Sequence, residues 1–190
     1  LQAVIDAILF VLTWSHPFVF IAAFLLTAWL ARRSIFPVIF TLLGFLLIIN
    51  LGVWEATTQT LALVIAGTVT CMVIGVPLGI AAARRAWLYS GLRPVLDLMQ
   101  TIPTFVYLIP ALILFGLGMV PGLIATVIFA VPSPIRLTQL GISSTPRALI
   151  EAGEAFGATK RQLLWKVELP YALPNIMAGL TQTIMLSLSM

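Results

Sequence analysis

Between Glu55 and Arg84 no residue carries a charge, and Leu, Val, Ile, Ala, Gly and Thr fill most of the interval. Such a run is long enough for a helix to cross a hydrocarbon layer about 30 Å thick, and it does not suit a helix half-exposed to water. The pattern recurs along the chain. Apolar runs at about 17–31, 35–53, 60–83, 102–118 and 119–137, with a sixth starting near 171, predict membrane-spanning helices. Several are short for the layer, so tilt is expected. Composition agrees, with 61% of residues hydrophobic and 8% charged. One aqueous core of this size cannot hide that much apolar surface. Lipid must be the solvent for most side chains.

Charge then sets an orientation. Arg32 and Arg33 follow the first run, and Arg84, Arg85 and Arg93 follow the third. Arg136, Arg147, Lys160, Arg161 and Lys166 follow the fifth, while the connections near 52–59 and 116–122 contain no Lys or Arg. The positive-inside bias places the basic side in the cytoplasm and the N-terminus outside. Residues 1–16 mix apolar positions with Gln2, Asp6 and Thr13 and suggest an interfacial, extracytoplasmic helix, although core packing fits them equally. They carry no signal-peptide pattern. The chain begins on Leu and ends inside an apolar run, so it reads as a fragment: a transmembrane domain over 17–190, incomplete at its C-terminus. One Cys (Cys71) and one His (His16) supply neither a disulfide nor a metal site. The net charge of +4 comes without a basic patch interleaved with aromatics, which argues against nucleic acid. The assigned spans hold no Asp, Glu, Lys, Arg or His in their interiors. Ion-coupled carriers usually need such groups, whereas a passive pore does not.

One polar insertion interrupts this pattern. From Ser143 to Pro170 the sequence predicts two short helices joined at Gly157. Thr145 is placed to cap the first, with Pro146 at its first helical position. Leu149, Ala152, Gly153 and Phe156 share one narrow apolar face, with Arg147, Glu151 and Glu154 directed elsewhere. Gly157 can take positive φ and end that helix. Thr159 can cap the next, which Leu163, Leu164 and Val167 make amphipathic and which Pro170 is expected to stop. The small pair Ala152 and Gly153 admits close approach to a partner groove, with Phe156 as the larger anchor. A solvated hairpin lying on the membrane surface is the simpler alternative.

The order Glu151-Ala152-Gly153, three residues, Gly157, nine residues, Val167, one residue, Leu169-Pro170 resembles the EAA loop of bacterial ABC importer permeases. Gly153 stands for the third Ala of that pattern and Val167 for its Ile; the other fixed positions and both spacings match. In that family the loop takes force from a separate ATPase. The resemblance implies a cytoplasmic coupling loop over about 138–170.

Small and helix-breaking residues mark the spans. Gly67, Cys71, Gly75, Gly79 and Ala83 recur every fourth residue and predict a close-packing ridge, with Pro77 expected to kink it. The stretch from Gln100 to Pro110 contains Pro103, Thr104, Phe105, Tyr107 and Pro110, and Pro132-Ser133-Pro134 forms a second expected break. Broken helices at membrane depth suit a cavity lining, and Phe105 or Tyr107 can offer π faces to a quaternary ammonium. Packing and interface roles remain the alternative for all of them. Gly116, Gly118 and Gly122 do not have dinucleotide spacing, and Gly157-Ala158-Thr159-Lys160 lacks the rest of a phosphate loop. No ATP-binding or catalytic motif is legible.

The Gln100–Pro110 stretch, Phe129–Gly141 and Asn175–Met190 resemble the permease subunit of glycine betaine/proline betaine ABC importers, and the resemblance runs from about Leu61 onward. Close relatives in that family move choline, proline betaine or histidine. It implies an all-α integral membrane protein, a polytopic helical bundle with the type I ABC importer permease fold, in a bacterial inner membrane. It also implies two cytoplasmic ATPase subunits that bind the ATP, an extracytoplasmic binding protein and a second permease copy. One EAA loop per chain makes a homodimer the simplest assembly, although a paired paralogue would also serve. A proline, choline or histidine permease of the same class stays open, as do an ion-coupled carrier and a pore.

Overall fold

The computed structural model describes residues 17–32 and 35–190, which form helices without a strand. In chain order they are α1 (Pro17–Arg32), α2 (Ile35–Asn50), α3 (Trp54–Arg84), α4 (Ala86–Thr101), α5 (Phe105–Phe115), α6 (Met119–Ala130), α7 (Pro132–Ser143), α8 (Arg147–Ala155), α9 (Lys160–Leu163) and α10 (Leu169–Leu188). A π-helical turn, Leu164–Glu168, joins α9 to α10. The expected interfacial helix over 1–16 lies outside the described residues.

By length and composition α3 and the continuous Met119–Ser143 segment can each cross a membrane. So can α4 and α5 if they form one broken span, bent by 87°. The sequence left 84–101 unassigned because Arg85, Arg93 and Asp97 dilute its hydropathy, yet it forms the amphipathic α4. The residue before Pro103 explains the bend. Ile102 is extended (φ −74°, ψ 130°), as a pre-proline residue prefers, and ends α4 there. Pro77 and Pro110 sit inside unbroken helices. The second expected break is a join without a change of course: Val131 stays helical (φ −60°, ψ −27°) and Pro132 takes a first-turn position where its missing N–H costs little. The fifth span therefore continues to Ser143, and Arg136 falls inside it instead of after it. Its guanidinium donates to Asp97 of α4 at 2.6 Å, which neutralises the charge.

The chain forms two compact units that meet within α3, one ending at Ala66 and the other spanning Gly67–Met190. In the first, α2 has no buried side chain at all. Phe20, Phe24, Phe45 and Trp54 cluster with ring centroids 4.8–6.3 Å apart.

The second unit is closed by backbone proximity. A Cβ on Gly75 would lie 2.6 Å from Pro134 Cγ, and one on Gly79 would lie 2.7 Å from the Ile135 carbonyl oxygen. Cys71, fully buried, meets Val127 from the same ridge. On the other side of α7, Gly141 admits Ala172 and Asn175 of α10, and Gly179 of α10 admits Pro134 and Leu137. Small residues thus lock α3, α7 and α10 together, the means by which helices associate in lipid.

Candidate functional site

The polar insertion folds as a hairpin of two limbs. The first limb, α8, starts later than expected. Pro146 is its N-cap residue, and the Thr145 hydroxyl is buried without a partner because Thr145 belongs to the turn that closes α7. Its end matches expectation. Gly157 takes φ +76°, its N–H donates to Glu154 O (2.8 Å) and the Ala158 N–H donates to Gly153 O (3.1 Å). These are the two bonds of a Schellman termination. Thr159 then starts the return limb with a reciprocal capping box. Its N–H donates to Gln162 Oε1 (2.8 Å), and Gln162 N–H donates back to Thr159 Oγ1 (3.4 Å).

Pro170 does not stop the return limb. It occupies the first turn of α10, and the chain runs from α9 into α10 through the π turn. A proline ring here would crowd the Lys166 carbonyl in α geometry, and widening to the i−5 register relieves it. Leu169 N–H accordingly donates to Leu164 O.

Gly153 points inward. A Cβ there would lie 2.5 Å from Leu163 Cδ2 and 3.9 Å from Val167 Cγ2, so this position packs limb against limb. Glu151, Ala152 and Leu149 are exposed, Val167 and Leu169 half-buried, and Pro170 exposed. Phe156 stands 93% exposed at the tip.

Below the tip, Arg84, Ile150, Glu154, Lys160, Leu163 and Glu168 line a hollow of about 290 Å³. Arg84 Nη2 donates to Glu168 Oε2 (2.9 Å) and to the Lys160 carbonyl (3.1 Å). Arg84 gave no sequence signal beyond its place at the end of an apolar run, because its partners lie 76 and 84 positions away.

The other candidate residues lie elsewhere. Pro132 and Pro134 are fully buried between helices. Pro103 is exposed at the α4–α5 bend, Thr104 half-buried, Phe105 68% exposed and Pro110 exposed on α5. Tyr107 braces the bend: its hydroxyl donates to Met99 O at 3.3 Å, with Leu98 O at 3.5 Å.

Residues 75–190 match the family described as the inner membrane component of binding-protein-dependent transport systems. Over 162 residues the chain is 52% identical to the glycine betaine transport system permease protein OpuAB of Bacillus subtilis, covering 85% of this chain and 57% of that protein. It is 48% identical over 190 residues to the glycine betaine/carnitine transport permease protein GbuB of Listeria monocytogenes, covering 98% and 67%. It is 53% identical over 150 residues to the glycine betaine/proline betaine transport system permease protein ProW of Escherichia coli, covering 79% and 42%. The chain thus spans between two fifths and two thirds of these relatives' lengths. Among solved structures, the MetNI methionine ABC transporter in inward-facing conformations matches with a TM-score of 0.60 and 26% identity, over 68% of this chain and 67% of that one.

Proposed function

This chain belongs to the family of inner membrane components of binding-protein-dependent transport systems, and from that premise we propose that it is the non-catalytic, membrane-spanning subunit of an ATP-driven importer for glycine betaine, proline betaine or a related quaternary amine. ATP is hydrolysed on separate cytoplasmic subunits, an extracytoplasmic binding protein delivers the solute, and two permease copies enclose the path.

The observation that carries the reading is the Phe156 tip. The Schellman turn at Gly157 ends α8 abruptly and leaves an aromatic ring in the open beside exposed Leu149 and Ala152. An apolar tip on a short, internally braced helix fits a groove on a partner. Closure of two nucleotide sites draws two such loops together and turns the cavity outward; relaxation after hydrolysis returns it. The names of the relatives support the solute class. For the pathway, Phe105 is the candidate contact: a quaternary ammonium donates no hydrogen bond, so a π face is the attractive surface left to it.

The test replaces Phe156→Asp and Gly157→Pro in the full protein, co-expressed with its partner ATPase. Both variants are expected to insert in the membrane normally, lose ATPase capture and lose uptake of labelled glycine betaine. Parental uptake by both overturns the reading.

A further inference from the structure

We propose that Arg84 is a positioning residue for energy coupling, a brace that makes the loop and α3 move as one piece. The inference rests on the coupling reading above and concerns how force leaves the loop once it has been received.

A displacement of the Phe156 tip has two covalent routes into the membrane helices, one back through α8 and the turn at 144–146 into α7, the other through the return limb into α10. The second route passes through the π turn Leu164–Glu168, where the regular i−4 ladder is interrupted. A joint of this kind yields more readily than continuous α-helix, so that route alone lets the hairpin swivel on α10. Arg84 spans that joint. One guanidinium nitrogen donates to the Lys160 carbonyl, ahead of the π turn, and to the Glu168 carboxylate, within it. The Glu168 side chain is 15% exposed and that of Arg84 37%, so water reaches the pair from the Arg84 side and screens it in part. Gly153 stacked on Leu163 holds the outer limb to the same return limb.

The other end of the brace is equally firm. Arg84 is the last residue of α3, and the ridge one and two turns behind it sits backbone-close on α7 at Gly79 and Gly75. A shift of α3 is therefore passed to α7, and through Gly141 and Gly179 to α10. The loop thus grips the bundle at three places, covalently at α7 and α10 and ionically at α3. Lys replaces Arg only in part here: its ammonium keeps the charge and enough donors, but it is a compact, strongly hydrated point charge on a flexible stem and is held less firmly between the carbonyl and the carboxylate.

The test uses the assembled transporter in proteoliposomes and reads labelled glycine betaine taken up per ATP hydrolysed. Arg84→Gln and Glu168→Gln are each expected to lower that ratio about ten-fold, the scale of a lost charge-assisted hydrogen bond, with assembly and ATP hydrolysis retained. Arg84→Lys should fall between, the double variant should be no worse than either single one, and the reversed pair Arg84→Glu with Glu168→Arg should recover part of the ratio. An unchanged ratio in both single variants overturns the proposal. So does a parallel fall of assembly, hydrolysis and uptake, which marks Arg84 as merely structural. Phe156→Asp is measured alongside. If it transports normally, the coupling reading itself has failed; if it is dead while Arg84→Gln keeps the parental ratio, only the brace is wrong.

Discussion

Gly79 has room for a hydrogen atom and nothing larger. Its added Cβ would meet Thr138 Cβ at 2.6 Å and the Ile135 carbonyl at 2.7 Å, and a backbone oxygen in a packed helix cannot turn aside. Gly153 is different, although its nearest neighbour is closer still. That neighbour is the far end of the Leu163 side chain, which can change rotamer, and the EAA pattern that this loop resembles has Ala at this position. Gly79→Ala should therefore cost about 1–3 kcal/mol through overpacking, seen as a lower melting temperature of the purified protein in detergent. Gly153→Ala should change stability and uptake little. Gly91→Ala, on the exposed face of α4 with nothing within 4 Å, should be neutral or gain about 0.5–1 kcal/mol from a stiffer helix. A Gly79→Ala protein as stable as the parent would show that the ridge is loosely packed and that α3 is not locked to α7.

The α4–α5 bend separates two roles that a sequence reading assigns together. Phe105 projects from the start of α5 with most of its ring free, whereas Tyr107 spends its hydroxyl on the carbonyls closing α4. If the ring at 105 guides a methylammonium head, Phe105→Leu slows betaine uptake by a few-fold, the effect of one cation–π contact of about 0.5–2 kcal/mol. Tyr107→Phe keeps a π face and removes only the brace, so it should lower thermal stability slightly, by under about 1.5 kcal/mol, while uptake persists. Equal transport by Phe105→Leu and the parent would make both aromatics packing residues. What was legible at this scale follows stereochemistry that a few neighbours fix. Gly157 at positive φ, Thr159 as a cap, the break before Pro103 and the ridge of small residues at every fourth position in α3 all depend on local geometry. What was not legible depends on residues far along the chain. Asp97 and Arg136 are 39 positions apart, and neither announces that it will neutralise the other inside a span. Pro170 looked like a stop because the local rule forbids α-helix there; the chain met that rule by widening one turn. Gly153 looked like a docking surface because its inward partner, Leu163, comes from the opposite limb.

Across the whole molecule, one helix measures the layer. The 31 residues of α3 extend about 45 Å, from the acidic start near Glu55 to Arg84. Arg84 holds the Lys160 carbonyl, so the basic loop belongs to the Arg84 end of that helix. Arg161 and Lys166, both exposed, add to the same end. If the positive-inside bias holds, that end is expected in the cytoplasm, as the proposed coupling to an ATPase requires, and the Trp54 end outside. Two single cysteines decide this. In a Cys71→Ser background, Thr57→Cys lies in the first turn of α3 at a half-buried position and Arg161→Cys in the return limb at an exposed one. The parental thiol is fully buried and should be silent even before its replacement. An impermeant maleimide applied to intact cells should label Thr57→Cys and leave Arg161→Cys unreacted until the membrane is permeabilised. The opposite pattern would put the loop outside, beyond the reach of any ATP-hydrolysing partner. Such an orientation would remove the coupling reading and the Arg84 brace together, whatever the relatives do.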